Sequence, residues 1–212
     1  MKIAILGRGK MGKTVESVAS QSGFEVQLGL EFNTDAIIDF SSSLSIKENY
    51  SEILKHSTPW VIGSTGWGYD GLLPELKKSN TPILYCPNFS RGMALFHSML
   101  EMASSLNNQK FNLSGVEKHQ VGKKDLPSGT ANYLMKKIPG LSFTSVRRDD
   151  ETSEHHVIFS RKNEKVELKH TVKNREVLAQ GALCAAKWLI GRKGLQTYDD
   201  FIKSDYLWNH PK

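Results

Sequence analysis

A glycine motif near the N-terminus places the strongest constraint on the fold of this 212-residue chain. Residues 2–7 are typical of a short buried strand, and a helix is predicted over 13–22. Between them the chain reads Gly7-Arg8-Gly9-Lys10-Met11-Gly12, the Gly-x-Gly-x-x-Gly pattern. A strand, a glycine turn and a helix in this order form a dinucleotide-binding fingerprint, because the glycines allow a tight turn and close approach to a pyrophosphate. We predict that these six residues bind a dinucleotide whose phosphates lie at the helix N-terminus.

The fingerprint also needs an acidic residue about 20 positions later, at the end of the second strand, to bind ribose hydroxyls. Glu31 lies 19 residues beyond the last glycine and directly follows the second predicted strand, 25–30; Asp35 is the alternative. A basic residue nearby often accommodates a 2′-phosphate, and the residue after Glu31 is Phe32. The sequence therefore favours NADH over NADPH. Lys10 or Lys13 could instead bind the 2′-phosphate of NADPH.

Strands and helices alternate along the first 90 residues. After the second strand the pattern predicts strands over 35–40, 60–63 and 82–86 and helices over 44–55 and 71–78. This alternation is typical of a parallel sheet with helices on its faces, and ligands bind such sheets beyond the carboxyl ends of the strands. The turns after the fourth and fifth strands are further cofactor candidates, although ordinary turn chemistry explains their composition equally well. They contain Gly63, Ser64, Thr65, Cys86, Asn88 and Phe89.

The pattern changes at residues 88–92. An apolar helix is predicted over 92–106, and longer strands with few helices between them follow over 111–117, 141–147, 155–161 and 165–172. The last strand alternates apolar and polar residues, with Val166, Leu168, His170 and Val172 on one side, which predicts one buried face. A final helix with an apolar side is predicted over 176–191. The second half is therefore expected to be an α+β unit on a mixed or antiparallel sheet.

The densest polar cluster lies between residues 117 and 131. We expect a strand to end near His119, whose imidazole can give or accept a proton near neutral pH. Lys123 or Lys124, in the loop that follows, can hold an anion or act as an acid. Ser128 would begin a helix, and the amides there, with Gly129 and Thr130, could bind a carboxylate. A solvated loop with a conventional helix cap fits the same residues equally well.

This segment resembles the signature of the 4-hydroxy-tetrahydrodipicolinate reductase family, which reads Glu-x-His-His-x-x-Lys-x-Asp-x-Pro-Ser-Gly-Thr. The matching residues are Glu117, His119, Lys123, Asp125, Pro127, Ser128, Gly129 and Thr130. Gln120 replaces a histidine that usually contacts substrate in the family, and glutamine can donate a hydrogen bond without carrying positive charge. Further matches occur in order along the chain, at 7–12, 39–41, 63–66, 88–90, 154–155 and 175–182.

The resemblance implies an enzyme that reduces 4-hydroxy-tetrahydrodipicolinate to tetrahydrodipicolinate with NADH or NADPH, in diaminopimelate and lysine biosynthesis. His119 would be the general acid and Lys123 would assist it. Gln120, Ser128, Gly129 and Thr130 would bind the anionic dicarboxylate substrate. The turns at 7–12, 63–65 and 86–89 would contact the cofactor, together with Glu31.

The same resemblance implies an α/β fold with a Rossmann-like parallel-sheet domain and an inserted α+β mixed-sheet substrate domain. Residues 1–90 and 176–212 would bind the dinucleotide, and residues 91–175 would bind substrate and mediate oligomerisation. Hinges near 88–92 and 174–175 would let the domains close, and a homotetramer would form through the substrate-domain sheets. The chain is shorter than typical members, mainly between Leu30 and Asp35, where a helix is usually present, and between Ile138 and Glu154.

Composition gives little support to two further classes, nucleic-acid-binding proteins and membrane proteins. Lys and Arg total 28 against 22 Asp and Glu, a net charge of +6, which favours an anionic partner; no long basic run or recognition motif suggests nucleic acid. No apolar run approaches the ~18 residues of a membrane span, so a cytoplasmic protein is expected. Cys86 and Cys184 lack metal or redox spacing and are expected in the core. The open alternatives are another nicotinamide-dependent imine or amino-acid dehydrogenase and a non-catalytic nucleotide-binding regulator.

The remaining histidines do not predict a metal site. His155 and His156 are adjacent on a predicted strand and would point to opposite faces, which makes them poor co-ligands for His119 or His170. His155 is a candidate for lining the substrate pocket. Arg175 is a candidate for the same role or for holding the hinge.

Overall fold

The computed structural model describes residues 1–65, 69–107, 110–121, 125–149 and 152–204, the side chains of 69 and 70 excepted. Contacts divide the chain into two compact units. We call Met1–Arg91 with the described residues from Arg175 onward the parallel-sheet unit, and Gly92–Asn174 the mixed-sheet unit. Within the described ranges, no helix combines the length and apolarity needed to span a membrane.

The strands of the described chain are β1 (Lys2–Leu6), β2 (Glu25–Leu28), β3 (Ala36–Asp39), β4 (Trp60–Ile62), β5 (Ile83–Tyr85), β6 (Asn112–Gln120), β7 (Phe143–Arg148), β8 (Ser153–Arg161), β9 (Glu164–Val172) and β10 (Leu195–Gln196). The helices are α1 (Lys10–Gln21), α2 (Ser43–His56), α3 (Tyr69–Lys78), α4 (Arg91–Asn107), α5 (Gly129–Lys137), α6 (Glu176–Leu189) and α7 (Tyr198–Ile202).

The parallel-sheet unit contains a sheet of order β10-β5-β4-β3-β1-β2 in which every neighbouring pair is parallel. The chain steps from β1 outward to β2 and then crosses to β3 on the other side of β1. This reversal is a topological switch point, the place at which open parallel sheets form a ligand crevice at the carboxyl ends of their strands. The Rossmann-like prediction is confirmed by this sheet.

Helix α6 completes the core of the parallel-sheet unit. It contacts α1, β3, β4 and β5, and most of its residues are buried. Gly181 permits this close packing, because a Cβ there would overlap the carbonyl oxygen of Phe89. The strands beneath are fully apolar at their centres, where Ile3, Ile37 and Val61 have no exposed area. Such uninterrupted burial is expected of a parallel sheet covered on both faces.

The mixed-sheet unit contains a sheet of order β7-β6-β8-β9. β6 pairs with β7 in parallel and with β8 antiparallel, and β8 pairs with β9 antiparallel. Residues of α4 and α5 pack on one face of this sheet, where Phe96, Leu134 and Val157 belong to one buried cluster. The other face carries charged and polar residues, in keeping with the alternation of a sheet that has one face packed.

Three details differ from the sequence prediction. α1 begins at Lys10 rather than at residue 13. Gly12, the last glycine of the motif, lies inside the first helical turn, where it packs on the carbonyl group of Gly7. Val166 is 48% exposed, so the apolar face of β9 is buried only toward Val172. β10 and α7 were not predicted, although Thr197 and Asp200 form a capping box at the start of α7.

Candidate functional site

The switch point of the parallel sheet brings the glycine turn against the end of β3. Gly7 adopts a positive φ of 94°, and a Cβ there would overlap the carbonyl group of Phe40. Only glycine combines that backbone conformation with so close an approach. The turn after β1 is thereby held at the carboxyl edge of the sheet, beside the turn after β3.

The other two glycines of the turn play different parts. A Cβ at Gly12 would overlap the Gly7 carbonyl oxygen, so this glycine lets α1 pack on the turn. A Cβ at Gly9 would meet no atom within 4 Å, and no side chain caps the N-terminus of α1 at Gly9. The first amides of a helix have no partner within the helix. Open space beside an uncapped helix N-terminus fits the phosphates of a dinucleotide, while Arg8 and Lys10 are exposed at the same turn and Met11 is half-buried.

The two acidic candidates for the ribose hydroxyls lie at opposite edges of the sheet. Glu31 follows the carboxyl end of β2, and its Oε1 accepts a hydrogen bond from the amide of Asn33 at 3.0 Å. Asp35 precedes β3, and its Oδ2 accepts a hydrogen bond from the amide of Lys2 at 2.7 Å. Asp35 therefore lies at the amino edge, away from the glycine turn, and Glu31 is the better placed of the two. Residues 29–35, which link β2 to β3, contain no helix.

A buried carboxylate organises the turn after β3. Asp39 is fully buried, and it accepts hydrogen bonds from the Ser41 amide at 2.8 Å and from Trp60 Nε1 at 3.2 Å. Burial raises the pKa of the Asp39 carboxyl above its usual value, although these hydrogen bonds oppose the rise. The segment matched the family pattern, but the sequence did not predict this role.

The predicted cofactor residues after β4 and β5 are largely engaged in packing. Ser64 donates its hydroxyl to the Ser41 carbonyl at 2.8 Å, and Gly63 leaves room for the Phe40 ring. Cys86 is buried, and its thiol donates to the Asn88 carbonyl. The remaining residues of these turns are Thr65, which is half-buried; Asn88, whose Oδ1 accepts from the Ser90 amide; and Phe89, whose ring lies edge-on to Phe40. Contacts from these residues to a cofactor stay a prediction.

A second polar cluster lies within the mixed-sheet unit, where two histidines face one carboxylate. Nε2 of His119 lies 3.0 Å from Oε2 of Glu117, and Nε2 of His155 lies 3.7 Å from the same oxygen. The two imidazole rings meet edge to face with centroids 5.3 Å apart. All three side chains are buried, with at most 8% of any residue exposed. β6 supplies Glu117 and His119 on one face, and its antiparallel register with β8 places His155 directly opposite Glu117.

The other oxygen of Glu117 is held separately. Its Oε1 accepts hydrogen bonds from the Ser128 amide at 2.9 Å and from the Ser145 hydroxyl at 2.5 Å. Burial alone would raise the pKa of the Glu117 carboxyl, but hydrogen bonds from His119, Ser128 and Ser145 outweigh it and hold that pKa far below its usual range. Glu117 is therefore a buried anion that orients its neighbours. The sequence pattern contained Glu117 but assigned it no role, and it gave no sign of Ser145.

Ser128 connects this cluster to the start of α5. It is the N-cap residue, and its hydroxyl accepts from the Ala131 amide at 3.1 Å while lying 3.4 Å from His155 Nε2. Gly129 and Thr130 follow as the first two residues of the helix, and Thr130 is buried. The predicted helix cap is confirmed, and the amino end of α5 lies against the histidine–glutamate cluster.

The remaining predicted candidates for the substrate site are Lys123, Gln120 and Arg175. Lys123, together with Gly122 and Lys124, lies outside the described residues. Gln120 ends β6, and strand alternation places it on the face opposite His119. Arg175 occupies the N-cap position of α6 and makes no side-chain cap there. The predicted separation of His155 from His156 holds, since His156 lies 3.6 Å from Glu167 on the other face of the sheet.

A parallel sheet with a dinucleotide-type glycine turn, combined with a separate mixed sheet that buries an acid–base cluster, defines a two-unit nicotinamide-dependent oxidoreductase. Comparison with known proteins gives the family. The N-terminal region of dihydrodipicolinate reductase matches residues 30–89, and its C-terminal region matches residues 92–202. The chain belongs to the dihydrodipicolinate reductase family, as the signature at 117–130 suggested.

Curated relatives share nearly the whole length of the chain. The 4-hydroxy-tetrahydrodipicolinate reductase of Caldanaerobacter subterraneus subsp. tengcongensis is 32% identical, with 92% of this chain and 95% of the relative covered. The enzyme of the same name from Thermosipho africanus is 31% identical, with 98% of this chain and 100% of the relative covered.

Solved structures share the fold. The dipicolinate-bound dihydrodipicolinate reductase from Paenisporosarcina sp. TG-14 superposes with a TM-score of 0.70 at 20% identity, covering 93% of this chain and 97% of that one. Aspartate dehydrogenase from Thermotoga maritima superposes with a TM-score of 0.55 at 17% identity, covering 89% and 96%. At these identities the likeness is one of architecture.

Proposed function

We propose that this protein reduces 4-hydroxy-tetrahydrodipicolinate to tetrahydrodipicolinate with a reduced nicotinamide cofactor, in diaminopimelate and lysine biosynthesis. The observation that carries the proposal is the cluster of Glu117, His119 and His155 at the amino end of α5. Glu117, His119 and the start of α5 belong to the segment that matches the family signature, and His155 lies opposite Glu117 on β8. The chain belongs to the family over most of its length.

His119 is the proposed general acid. An ionised carboxylate only accepts hydrogen bonds, so the imidazole atom facing Glu117, Nε2, carries a hydrogen. The transferable proton then lies on the other ring nitrogen, Nδ1, when the imidazole is charged. Glu117 keeps the ring oriented and stabilises its cationic form as the proton is held. When bound, the nicotinamide would supply the hydride, and His119 would supply the proton as negative charge develops on the substrate. The 4-hydroxyl group of the substrate leaves as water in the overall reaction.

The amino end of α5 is the proposed site for a substrate carboxylate. The first amides of a helix and its dipole favour anions, and Gly129 and Thr130 provide that turn. The Paenisporosarcina relative was solved with dipicolinate, a flat dicarboxylate, which supports the same ligand class here. Lys123 would add positive charge, and Gln120 would donate a hydrogen bond where the family usually has a histidine.

We propose NADH as the preferred cofactor of the parallel-sheet unit. Glu31 lies at the carboxyl edge of the sheet, where its carboxylate can accept hydrogen bonds from ribose hydroxyls and would repel a 2′-phosphate. The residue after it is Phe32, which has no charge to pair with a 2′-phosphate and whose ring stacks on His56 with centroids 3.9 Å apart. Arg8 and Lys10 remain at the pyrophosphate end of the turn.

The assembly and cellular location are also proposals. Residues 91–175 would bind substrate and join four copies through the open face of the mixed sheet, where Val146 is 41% exposed. A single species of four times the monomer mass in solution would support the tetramer. A cytoplasmic location agrees with two buried free thiols, Cys86 and Cys184, since reducing compartments keep thiols unpaired.

The test is a steady-state assay with freshly made product of the preceding synthase, following oxidation of NADH and of NADPH. We expect turnover with both and the higher kcat/KM with NADH. His119→Ala should lower kcat by roughly 10²- to 10⁴-fold. The control is Lys162→Ala, an exposed residue in the turn between β8 and β9, which should keep kcat within about twofold. Absence of turnover above background with either cofactor would refute the proposed reaction.

A further inference from the structure

The mixed-sheet unit brings three atoms of metal-ligand type together. Oε2 of Glu117, Nε2 of His119 and Nε2 of His155 lie within 4.8 Å of one another. The sequence argued against a metal because His155 and His156 face opposite ways. The fold gives a different arrangement, since the ring of His155 lies against that of His119 on the neighbouring strand, while His156 points to the other face of the sheet.

The spacing of these atoms suits a small tetrahedral ion. Zn²⁺ binds imidazole nitrogen and carboxylate oxygen at about 2.0–2.2 Å, so neighbouring ligand atoms in a tetrahedral site lie about 3.3 Å apart. The carboxylate oxygen lies 3.0 Å from one Nε2 and 3.7 Å from the other. Shifts of a few tenths of an ångström would bring these two edges to the tetrahedral value, and the third edge, between the two Nε2 atoms, is at most 4.8 Å.

The carboxylate is already oriented by its surroundings. The Ser128 amide and the Ser145 hydroxyl hold Oε1, which leaves Oε2 directed at the two histidines. Outer hydrogen bonds of this kind fix ligand orientation in metal sites and strengthen binding. The three side chains are also nearly inaccessible to solvent, with Glu117 fully buried. A preformed, buried set of two imidazoles and one carboxylate leaves one coordination position for water or for the Ser128 hydroxyl.

We propose that Glu117, His119 and His155 form a reversible binding site for Zn²⁺ or Co²⁺, and that the bound ion inhibits the enzyme. The ion would replace the hydrogen that His119 shares with Glu117 through Nε2. A metal-bound imidazole cannot become the cation from which the proposed proton transfer occurs. The binding site stands independently of the proposed reaction, whereas the inhibition rests on it.

The direct test is titration of tag-free protein with Co²⁺, since tetrahedral Co²⁺ absorbs visible light far more strongly than the hydrated octahedral ion. We expect the visible bands to grow to saturation at one ion per chain and to vanish when Zn²⁺ is added. His155→Gln and Glu117→Gln should abolish the bands. His156→Gln, which alters the adjacent residue on the other face, should retain them at the same stoichiometry.

Folding is monitored separately, so that loss of the Co²⁺ bands in a variant can be attributed to loss of a metal ligand and not to unfolding. Each variant is first compared with the parent protein by circular dichroism and by thermal unfolding without metal. Zn²⁺ should raise the melting temperature of the parent and of His156→Gln, but not of a folded His155→Gln variant. No intense band in the parent protein overturns the proposal, and so does an undiminished band in both His155→Gln and Glu117→Gln.

The inhibitory consequence has its own measurement. Zn²⁺ should reduce turnover of the parent and of His156→Gln, and a chelator should restore it. If the Co²⁺ bands are seen but Zn²⁺ does not change turnover, the proposed inhibition is wrong and the proposed metal site stands. A protein with no reductase activity but with the Co²⁺ bands would instead contradict the proposed function alone.

Discussion

Nε2 of His119 and Oε2 of Glu117 lie 3.0 Å apart on the packed face of the mixed sheet. The two residues are separated by one position in β6, so strand alternation alone puts them on the same side. Their contact fixes the ring of the proposed acid and keeps an anion beside it. A buried carboxylate in that position stabilises a charged imidazole far more than one in water would.

Replacing Glu117 by Gln should therefore slow the reaction more than it weakens substrate binding. The amide has nearly the same shape but no charge, so the cation of His119 loses its counter-ion. We expect kcat to fall at least tenfold, with a change in KM of less than about threefold. Steady-state kinetics measure both quantities. Equal losses in the Ser145→Ala variant, which removes only one hydrogen bond to Oε1, would indicate a structural role instead.

Alanine at two glycines of the turn should have separable effects. Gly9→Ala places its methyl group in open space, so the melting temperature should stay within a few degrees while cofactor affinity falls at least tenfold. Gly12→Ala drives a methyl group into the Gly7 carbonyl and should destabilise the fold by more than the ~1–3 kcal/mol of ordinary overpacking. Thermal unfolding and cofactor fluorescence titrations test the pair. Unchanged cofactor affinity in Gly9→Ala would place the dinucleotide elsewhere.

Glu31→Ser should shift cofactor preference toward NADPH. The serine hydroxyl can still meet a ribose, and the negative charge that opposes a 2′-phosphate is gone. We expect the ratio of kcat/KM for NADH to that for NADPH to drop about tenfold or more. Asp35→Ser is the matched control, because this carboxylate lies at the other edge of the sheet, on the Lys2 amide. A shift of equal size in both variants would show that the effect is one of net charge.

The stability of the parent protein should depend on pH through Asp39. Burial raises the pKa of this carboxyl in the folded state above the 3.8 of an unperturbed aspartate. As pH rises from about 3.8 through the folded pKa, the unfolded chain ionises first, so the contribution of Asp39 to stability is lost across that window. In Asp39→Asn this loss is absent. The unfolding free energy of the parent minus that of the variant should thus fall with rising pH in denaturant titrations. A difference that is flat or rises with pH would contradict the assignment.

Local pattern predicted much of the fold, because each strand and helix of the parallel sheet has its own periodicity and turn residues. The chemistry of the mixed-sheet cluster depends on pairing between distant strands. Ser145 reaches Glu117 across 28 positions, and Ser128 approaches His155 across 27. Neither contact has a local signal in the sequence. His119, Ser128 and His155 could therefore be named as candidates, but their contacts with one another and with Glu117 could not be predicted. The hydrogen-bonding role of Asp39 was hidden for the same reason, since Trp60 is 21 positions away.

The position of α6 late in the chain has a consequence for folding during translation. A ribosome releases the first 91 residues and then the whole of the mixed-sheet unit before α6 emerges. The core of that inserted unit is built from its own residues and can close at once. The strands β1 to β5 cannot complete their packing at that stage, because α6 is synthesised later. This helix covers β3 and β4 and packs Gly181 against Phe89. Residues 1–91 can therefore complete their core only after the mixed-sheet unit that follows them has been made, and nascent chains arrested before residue 189 should expose an apolar face of the parallel sheet.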